Sequence, residues 1–161
     1  MAHRLNHTPP SCLSADDFHF YVTQCALPRG KNVLIPSARG LTDAIQHYHR
    51  IERWFCRAYV IMPDHLHLLI SPYPGQALKD LMKQWKSYTA RQLGIRWQQD
   101  FFEHRLRTEE STADKAYYME LNPVRAKLVD DPKEWKWFGY DLHTPSQGRD
   151  GLPDRGSCES L

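Results

Sequence analysis

The sequence predicts an α+β single domain, with a mainly antiparallel sheet and helices packed on it. Three observations lead there. Strand-like and helical segments interleave as β, α, β, β, α, β, α, without the regular alternation of a doubly wound sheet. Two apolar runs flank the short Pro63-Asp64 break, as the arms of a hairpin or the halves of a kinked edge strand do. The 161 residues, 41% hydrophobic and 25% charged, suit one ordinary globular core.

Residues 1–15 are polar and are set apart from a folded domain over 16–142. The first strand is His19 to Ala26, rich in β-formers and stopped by Pro28-Arg29-Gly30. A short apolar piece, Val33-Leu34-Ile35, ends at Pro36. A helix is expected over Leu41 to Trp54, because Leu41, Ala44, Ile45, Tyr48 and Ile51 recur at helical spacing. Cys56 to Met62 and His65 to Ser71 read as the second and third strands. After the Pro72-Tyr73-Pro74-Gly75 turn, Leu78, Leu81, Met82, Trp85 and Thr89 mark the buried face of an amphipathic helix. Lys79, Lys83 and Lys86 mark its basic face.

Asp100 to Arg107 reads as a strand with Phe102, His104 and Leu106 on one side. Ser111 and Asp114 resemble a capping box opening a helix that should end at Asn122, before Pro123. Trp135, Trp137, Phe138 and Tyr140 form a last aromatic cluster. Residues 143–161, rich in Gly, Pro, Ser and charge, are expected to form a flexible tail.

Composition excludes some classes. No apolar run approaches the roughly 20 residues that span a bilayer, and the N-terminus lacks an apolar signal region, so a cytoplasmic location is expected. The four cysteines form no C-x-x-C pair, which argues against a zinc knuckle, and Cys25 and Cys56 read as buried free thiols. A net charge of +2 says little about partners. Its distribution says more. From Gln76 to Arg107, seven cations (Lys79, Lys83, Lys86, Arg91, Arg96, Arg105, Arg107) face three carboxylates, interleaved with Trp85, Tyr88, Trp97, Phe101 and Phe102. Cations for phosphates and flat rings for bases suit a single-strand binder; a core-facing aromatic set beneath a solvated basic face fits the same pattern.

The strongest local signal is Pro63-Asp64-His65-Leu66-His67-Leu68-Leu69. On a strand, His65 and His67 point to one face and Leu66 to the other, so two imidazoles are placed to share a divalent ion. His47-Tyr48-His49 has the same spacing in a helical pattern, where positions i and i+2 diverge by about 200°; those histidines are expected apart and at the surface. A second signal is Tyr117 to Ala126, in which Tyr118 and Asn122 share a helical face at i and i+4.

Taken together, these segments resemble the single-tyrosine HUH transposases, specifically the REP-associated tyrosine transposases. The residues that carry the resemblance are Tyr59 to Leu69 around His65-Leu66-His67, Trp97 to Arg107, and Tyr118-Met119-Glu120-Leu121-Asn122-Pro123-Val124-Arg125-Ala126. It runs from about residue 17 to about 140. The resemblance implies an HUH-nuclease-like, ferredoxin-like catalytic domain that acts on single-stranded or hairpin DNA, as a monomer or homodimer in the nucleoid. It implies that His65, His67 and Asn122 hold Mg²⁺ or Mn²⁺, with water and phosphate oxygens completing the shell of a hard ion. It implies that Tyr118 attacks the scissile phosphate in line, giving a 5′-phosphotyrosine link and a free 3′-hydroxyl. Lys79, Lys83, Lys86, Arg105, Arg107 and Arg125 are the candidates for DNA contact.

Two other readings compete. A DNA-binding regulator derived from such a transposase would bind hairpins without cleaving them. A metal-dependent hydrolase using His65, His67 and a carboxylate such as Asp64 would leave no covalent protein–DNA adduct. The co-occurrence of His65, His67, Tyr118 and Asn122 favours the transposase.

Overall fold

The computed structural model describes residues 19–106 and 112–140. The proposed boundaries near 16 and 142, the N-terminal segment, the tail, Arg107 and Ser111 lie outside these residues. In chain order the elements are β1 (Phe20–Leu27), α1 (Ala38–Arg50), β2 (Trp54–Ile61), β3 (His65–Pro72) and α2 (Leu78–Leu93). They continue with β4 (Arg96–Trp97), β5 (Phe102–Arg105), α3 (Thr112–Glu120), α4 (Asn122–Arg125) and β6 (Phe138–Tyr140).

The sheet is antiparallel at every pairing, in the order β4-β1-β3-β2-β6, with β5 beside β4 along the outer edge of β1. The α+β class expected from the sequence is the one found. β2 and β3 form the hairpin predicted around Pro63-Asp64, closed by Met62 N–H donating to the His65 carbonyl at 2.8 Å.

Period-two alternation divides the sheet into two faces. Val22, Leu66, Leu68, Ile70, Tyr59 and Ile61 face α1 and α2, whose Leu41, Ala44, Ile45, Leu81, Met82 and Trp85 complete the larger core. Ala58, Val60, Met62 and Leu69 face the other way, against Leu106 and against Ala116 and Met119 of α3. Between Cys56 and Ala58 the register of β2 slips by one residue, at Arg57. Gly139 of β6 lies beneath the Tyr59 ring, where an added Cβ would come within 2.3 Å of it.

The structure corrects three local expectations. The helix expected to reach Trp54 stops at Arg50, and Trp54 opens β2. Glu52 turns the chain with a left-handed φ of 58°, and the Trp54 indole donates back to the Ile45 carbonyl at 3.2 Å. A strand residue thereby continues the helix's apolar face, which is why helical spacing ran on past the helix. The tyrosine helix ends at Glu120 rather than Asn122, and a new turn of helix starts at Asn122. Pro123 sits within that first turn, where a missing N–H costs nothing. The strand expected over Asp100 to Arg107 is confined to Phe102–Arg105. Cys25 and Cys56 are buried free thiols, as expected. Among the described residues no helix is long and apolar enough to cross a membrane.

Candidate functional site

His65 and His67 alternate with buried Leu66 and face the α3 side of the sheet. Each ring is tied back at Nδ1. The Asp64 carboxylate accepts from His65 Nδ1 at 2.8 Å, so that nitrogen carries a proton and Nε2 is the ring atom turned away from Asp64. His67 Nδ1 meets the Thr23 hydroxyl at 2.8 Å, across the β1–β3 register that pairs Thr23 with His67. Neither Nε2 has a hydrogen bond among the described residues. The rings lie 4.9 Å apart, edge to face at 78°, compatible with both outer nitrogens reaching one ion.

The electrostatics favour neutral imidazole at His67. Burial lowers its pKa to about 3, with help from His65, Arg125 and Lys115. A metal ligand must be deprotonated, and this ring is so across the physiological range. Asp64 behaves in the opposite way. Burial pushes its carboxyl up, but hydrogen bonds from His65, the Gly30 N–H and Arg29 hold it well below the usual carboxylate range. Its Oδ2 takes Gly30 N–H at 2.7 Å and Arg29 Nε at 2.9 Å. The hairpin tip that carries His65 is thus anchored to the loop after β1.

The second half of the site comes from α3 and α4. Tyr118 is 49% exposed and Tyr117 60% exposed. Arg125 joins Tyr118 to Asn122. Its guanidinium lies 3.8 Å from the centre of the Tyr118 ring, and its Nη2 donates to Asn122 Oδ1 at 2.9 Å. Nη1 donates to the Tyr118 carbonyl at 3.2 Å, bridging the break between the two helices. Lys115 Nζ stands 5.2 Å from the Tyr118 ring.

Tyr21 joins the halves. Its ring stacks on His67 with centroids 5.2 Å apart and planes 13° from parallel. Burial pushes the Tyr21 phenol's pKa up, and the Asn122 amide opposes the shift. Lys115 Nζ lies 4.6 Å over the same ring. Sequence reasoning missed Tyr21, Thr23 and Lys115, and treated Asp64 only as a rival ligand. The signal available was β1's own alternation, which puts Tyr21, Thr23 and Cys25 on one face; only the β1–β3 register shows that this face meets the histidines.

The donor set fits a hard divalent ion only in part. Two imidazole nitrogens and the Asn122 amide lie on one side of the sheet, and no group of three His, Cys, Asp or Glu gathers among the described residues. Oxygens from water and substrate phosphate would have to complete such a shell.

The other candidates are scattered. Lys79 and Lys83 are exposed, but α2 packs on the opposite face of the sheet from the histidines. Lys86 donates to the Gln98 carbonyl at 3.0 Å and also to that of Gln99, so its ammonium braces the loop after β4. Arg105 is on the exposed edge strand β5, with its guanidinium 6.0 Å from the Phe20 ring. Of the five candidates among the described residues, Arg125 alone lies within the site. Of the interleaved aromatics, Trp85 is fully buried and Tyr88, Trp97 and Phe101 pack against the core, while Phe102 is 69% exposed. Phe102 pairs with Thr23 on the histidine face. His47 and His49 do diverge, but His49 is buried rather than at the surface, its Nδ1 accepting the Cys56 N–H at 3.0 Å. His47 stacks on Tyr88.

The family described as IS200-like transposases matches residues 31–119, a stretch that includes His65, His67 and Tyr118. The chain belongs to this family. A Haemophilus influenzae protein named as a REP-associated tyrosine transposase is 27% identical over 125 residues, covering 62% of this chain and 70% of that one. The fold is similar to that of a REP-associated tyrosine transposase bound to a REP hairpin, with a TM-score of 0.64 and 20% identity over 83% of this chain and 82% of that one. A transposase from Deinococcus radiodurans matches with a TM-score of 0.51 and 20% identity, over 70% of this chain and 95% of the other. The likeness to REP-associated tyrosine transposases therefore holds in sequence and in fold.

Proposed function

We propose that this IS200-like transposase nicks and rejoins single-stranded DNA at REP-like hairpins, with Tyr118 as nucleophile. The observation that carries the proposal is the arrangement on one sheet face. His65 and His67 offer unbonded Nε2 atoms, and Tyr21 connects them to the Asn122, Arg125 and Tyr118 cluster. Membership of a transposase family and a structural relative bound to hairpin DNA support the same reading.

Mg²⁺ or Mn²⁺ held by His65, His67 and Asn122 would supply polarisation of the scissile phosphate and stabilisation of its developing charge. The remaining work falls to the chain's own groups. The Tyr118 oxygen forms a bond to phosphorus as the bond to the 3′ oxygen breaks. The phenol loses a proton and the departing oxygen ends as a hydroxyl. Attack by a 3′-hydroxyl on the 5′-phosphotyrosine reverses the step, with the phosphodiester energy conserved in the covalent link. Arg125 and Lys115 set two positive charges beside the Tyr118 ring, where a phosphate approaching the phenol is attracted.

Phe102 is suited to stack one unpaired base. It lies two strand spacings from His67, about 10 Å, and is open to solvent on the same face. Lys79 and Lys83, on the far side, serve a more distant part of the backbone, such as a hairpin stem.

The test is incubation with labelled hairpin-bearing single-stranded DNA and Mn²⁺, followed by denaturing electrophoresis. A denaturation-resistant adduct, absent from Tyr118→Phe, is expected. Cleavage that persists in that variant overturns the assignment of Tyr118. Hairpin binding without cleavage by the native protein identifies the regulator instead.

A further inference from the structure

His67 is held on two sides by a single neighbouring strand. β1 and β3 pair Thr23 directly with His67, and directly paired residues share a face of the sheet with Cβ atoms about 4.5–5.5 Å apart. The Thr23 hydroxyl therefore reaches the near edge of the imidazole and meets Nδ1 at 2.8 Å. Two residues away on the same strand, Tyr21 lies against the face of the ring, with centroids 5.2 Å apart and planes 13° from parallel. Turning the ring over would keep the stack but replace Nδ1 by a carbon, and the hydroxyl would then face a C–H group. The hydrogen bond therefore decides which nitrogen is turned to β1. The nitrogen left over is Nε2.

From this geometry we propose that Thr23 is the positioning residue of His67: its hydroxyl accepts from Nδ1, holds that edge of the ring at β1 and so keeps Nε2 as the nitrogen offered to a divalent ion. The proposal rests on the reading of His67 as a metal ligand. A ring that binds an ion through Nε2 carries its proton on Nδ1 and needs an acceptor there. A hydroxyl can accept, whereas a valine of nearly the same shape cannot. Nε2 has no hydrogen bond among the described residues, so a proton there would gain no protein acceptor, while Nδ1 has a partner at 2.8 Å. Branching at Cβ restricts the Thr23 side chain to few rotamers, which keeps its oxygen in place. The two histidines are thus held by unlike partners. His65 is held by the carboxylate of its own neighbour in sequence, Asp64. His67 is held by a neutral group from another strand, so its orientation depends on the β1–β3 register.

The experiment uses the full DNA-free chain and two readouts. Nitrogen-15 NMR of the histidine rings without metal, assigned against His67→Ala, reports the tautomer. Titration with Mn²⁺ alone, followed by electron paramagnetic resonance, reports affinity. Wild type, Thr23→Val and Thr23→Ser are compared. Wild-type His67 is expected to carry its proton on Nδ1. Thr23→Val should lose that preference, and its Mn²⁺ dissociation constant should rise about tenfold, the lower end for loss of an outer partner. Thr23→Ser, which keeps the oxygen, should match wild type in both. A loss of stability in Thr23→Val with wild-type tautomer and Mn²⁺ affinity would show a merely structural hydroxyl and overturns the proposal. An equal loss of affinity in Thr23→Ser overturns it too. So does a wild-type ring protonated at Nε2, a result that needs no variant to fold. Neither readout involves cleavage, so absence of a tyrosine adduct in the wild type would sink the nicking reading and leave this result standing.

Discussion

The Arg125 guanidinium lies over the Tyr118 ring, 3.8 Å from its centre, while its Nη2 holds Asn122. One side chain therefore sets both the exposed phenol and the amide. Arg125→Ala should reduce the rate of adduct formation by about a hundredfold, the lower end seen when one charge-stabilising group is lost. Arg125→Lys should recover only part, because an ammonium cannot both stack and fork. Single-turnover cleavage at saturating DNA checks this. Equal rates for Arg125→Ala and wild type would remove Arg125 from the site.

His65→Ala and His67→Ala should each abolish Mn²⁺-dependent cleavage while leaving hairpin affinity within about twofold, because phosphate contacts elsewhere dominate binding. Chelation of the wild type should reproduce the effect. His47→Ala, stacked on Tyr88 on the far side of the sheet, should cleave normally. His49→Ala should instead cost about 1–3 kcal/mol of stability by stripping the Cys56 N–H of its acceptor. Urea denaturation alongside the cleavage assay separates the two classes.

Asp64→Asn removes a carboxylate that orients His65 and ties the hairpin tip to Arg29 and Gly30. Metal affinity should fall at least about tenfold. The acid limb of stability should change too. The carboxyl titrates lower in the folded chain than in the unfolded one. It therefore contributes stability at neutral pH that is lost as pH falls below about 4. Thermal melts between pH 3 and 7 should show a shallower acid slope in Asp64→Asn than in wild type; parallel slopes would show that the anchor contributes nothing.

Phe102→Ala should leave the melting temperature unchanged and weaken binding of DNA with an unpaired flank by about 1–3 kcal/mol, the worth of one stacked base. A fully paired hairpin should bind both proteins alike. Trp85→Ala, a fully buried ring, should destabilise by about 3–5 kcal/mol. Fluorescence anisotropy with the two DNA forms checks the first claim. Equal loss on both would show that Phe102 does not read the flank.

Much of this site was legible in the residues. Strand periodicity alone placed His65 and His67 on one face, and the structure keeps them there. What periodicity could not supply was which elements share a face of the sheet. Lys79 and Lys83 lie near His67 in sequence, yet α2 crosses to the opposite side. Lys115 had no motif to mark it and lies over Tyr21. Tyr21 and Thr23 looked like ordinary β-formers until strand pairing set them beside His67. His49 was misplaced for a related reason: a polar residue near a helix end looks solvated unless the next strand's unpaired N–H is known to reach it.

The slip at Arg57 has a consequence for how the chain tolerates length changes. Trp54 and Cys56 before it, and Tyr59 and Ile61 after it, all reach the same α1–α2 core, although Cys56 and Tyr59 are an odd number of positions apart. The strand keeps two separate counts, and Arg57 is the residue that reconciles them. Deleting it would join Cys56 directly to Ala58 and restore unbroken alternation with every flanking residue on its present face. Trp54 and Cys56 would stay in the α1–α2 core with Tyr59 and Ile61, and Ala58 and Val60 would keep facing α3. A single-codon deletion at this point is therefore absorbed by the strand, whereas the same loss in β3, which has no such spare residue, would turn one of the two histidine-bearing halves over.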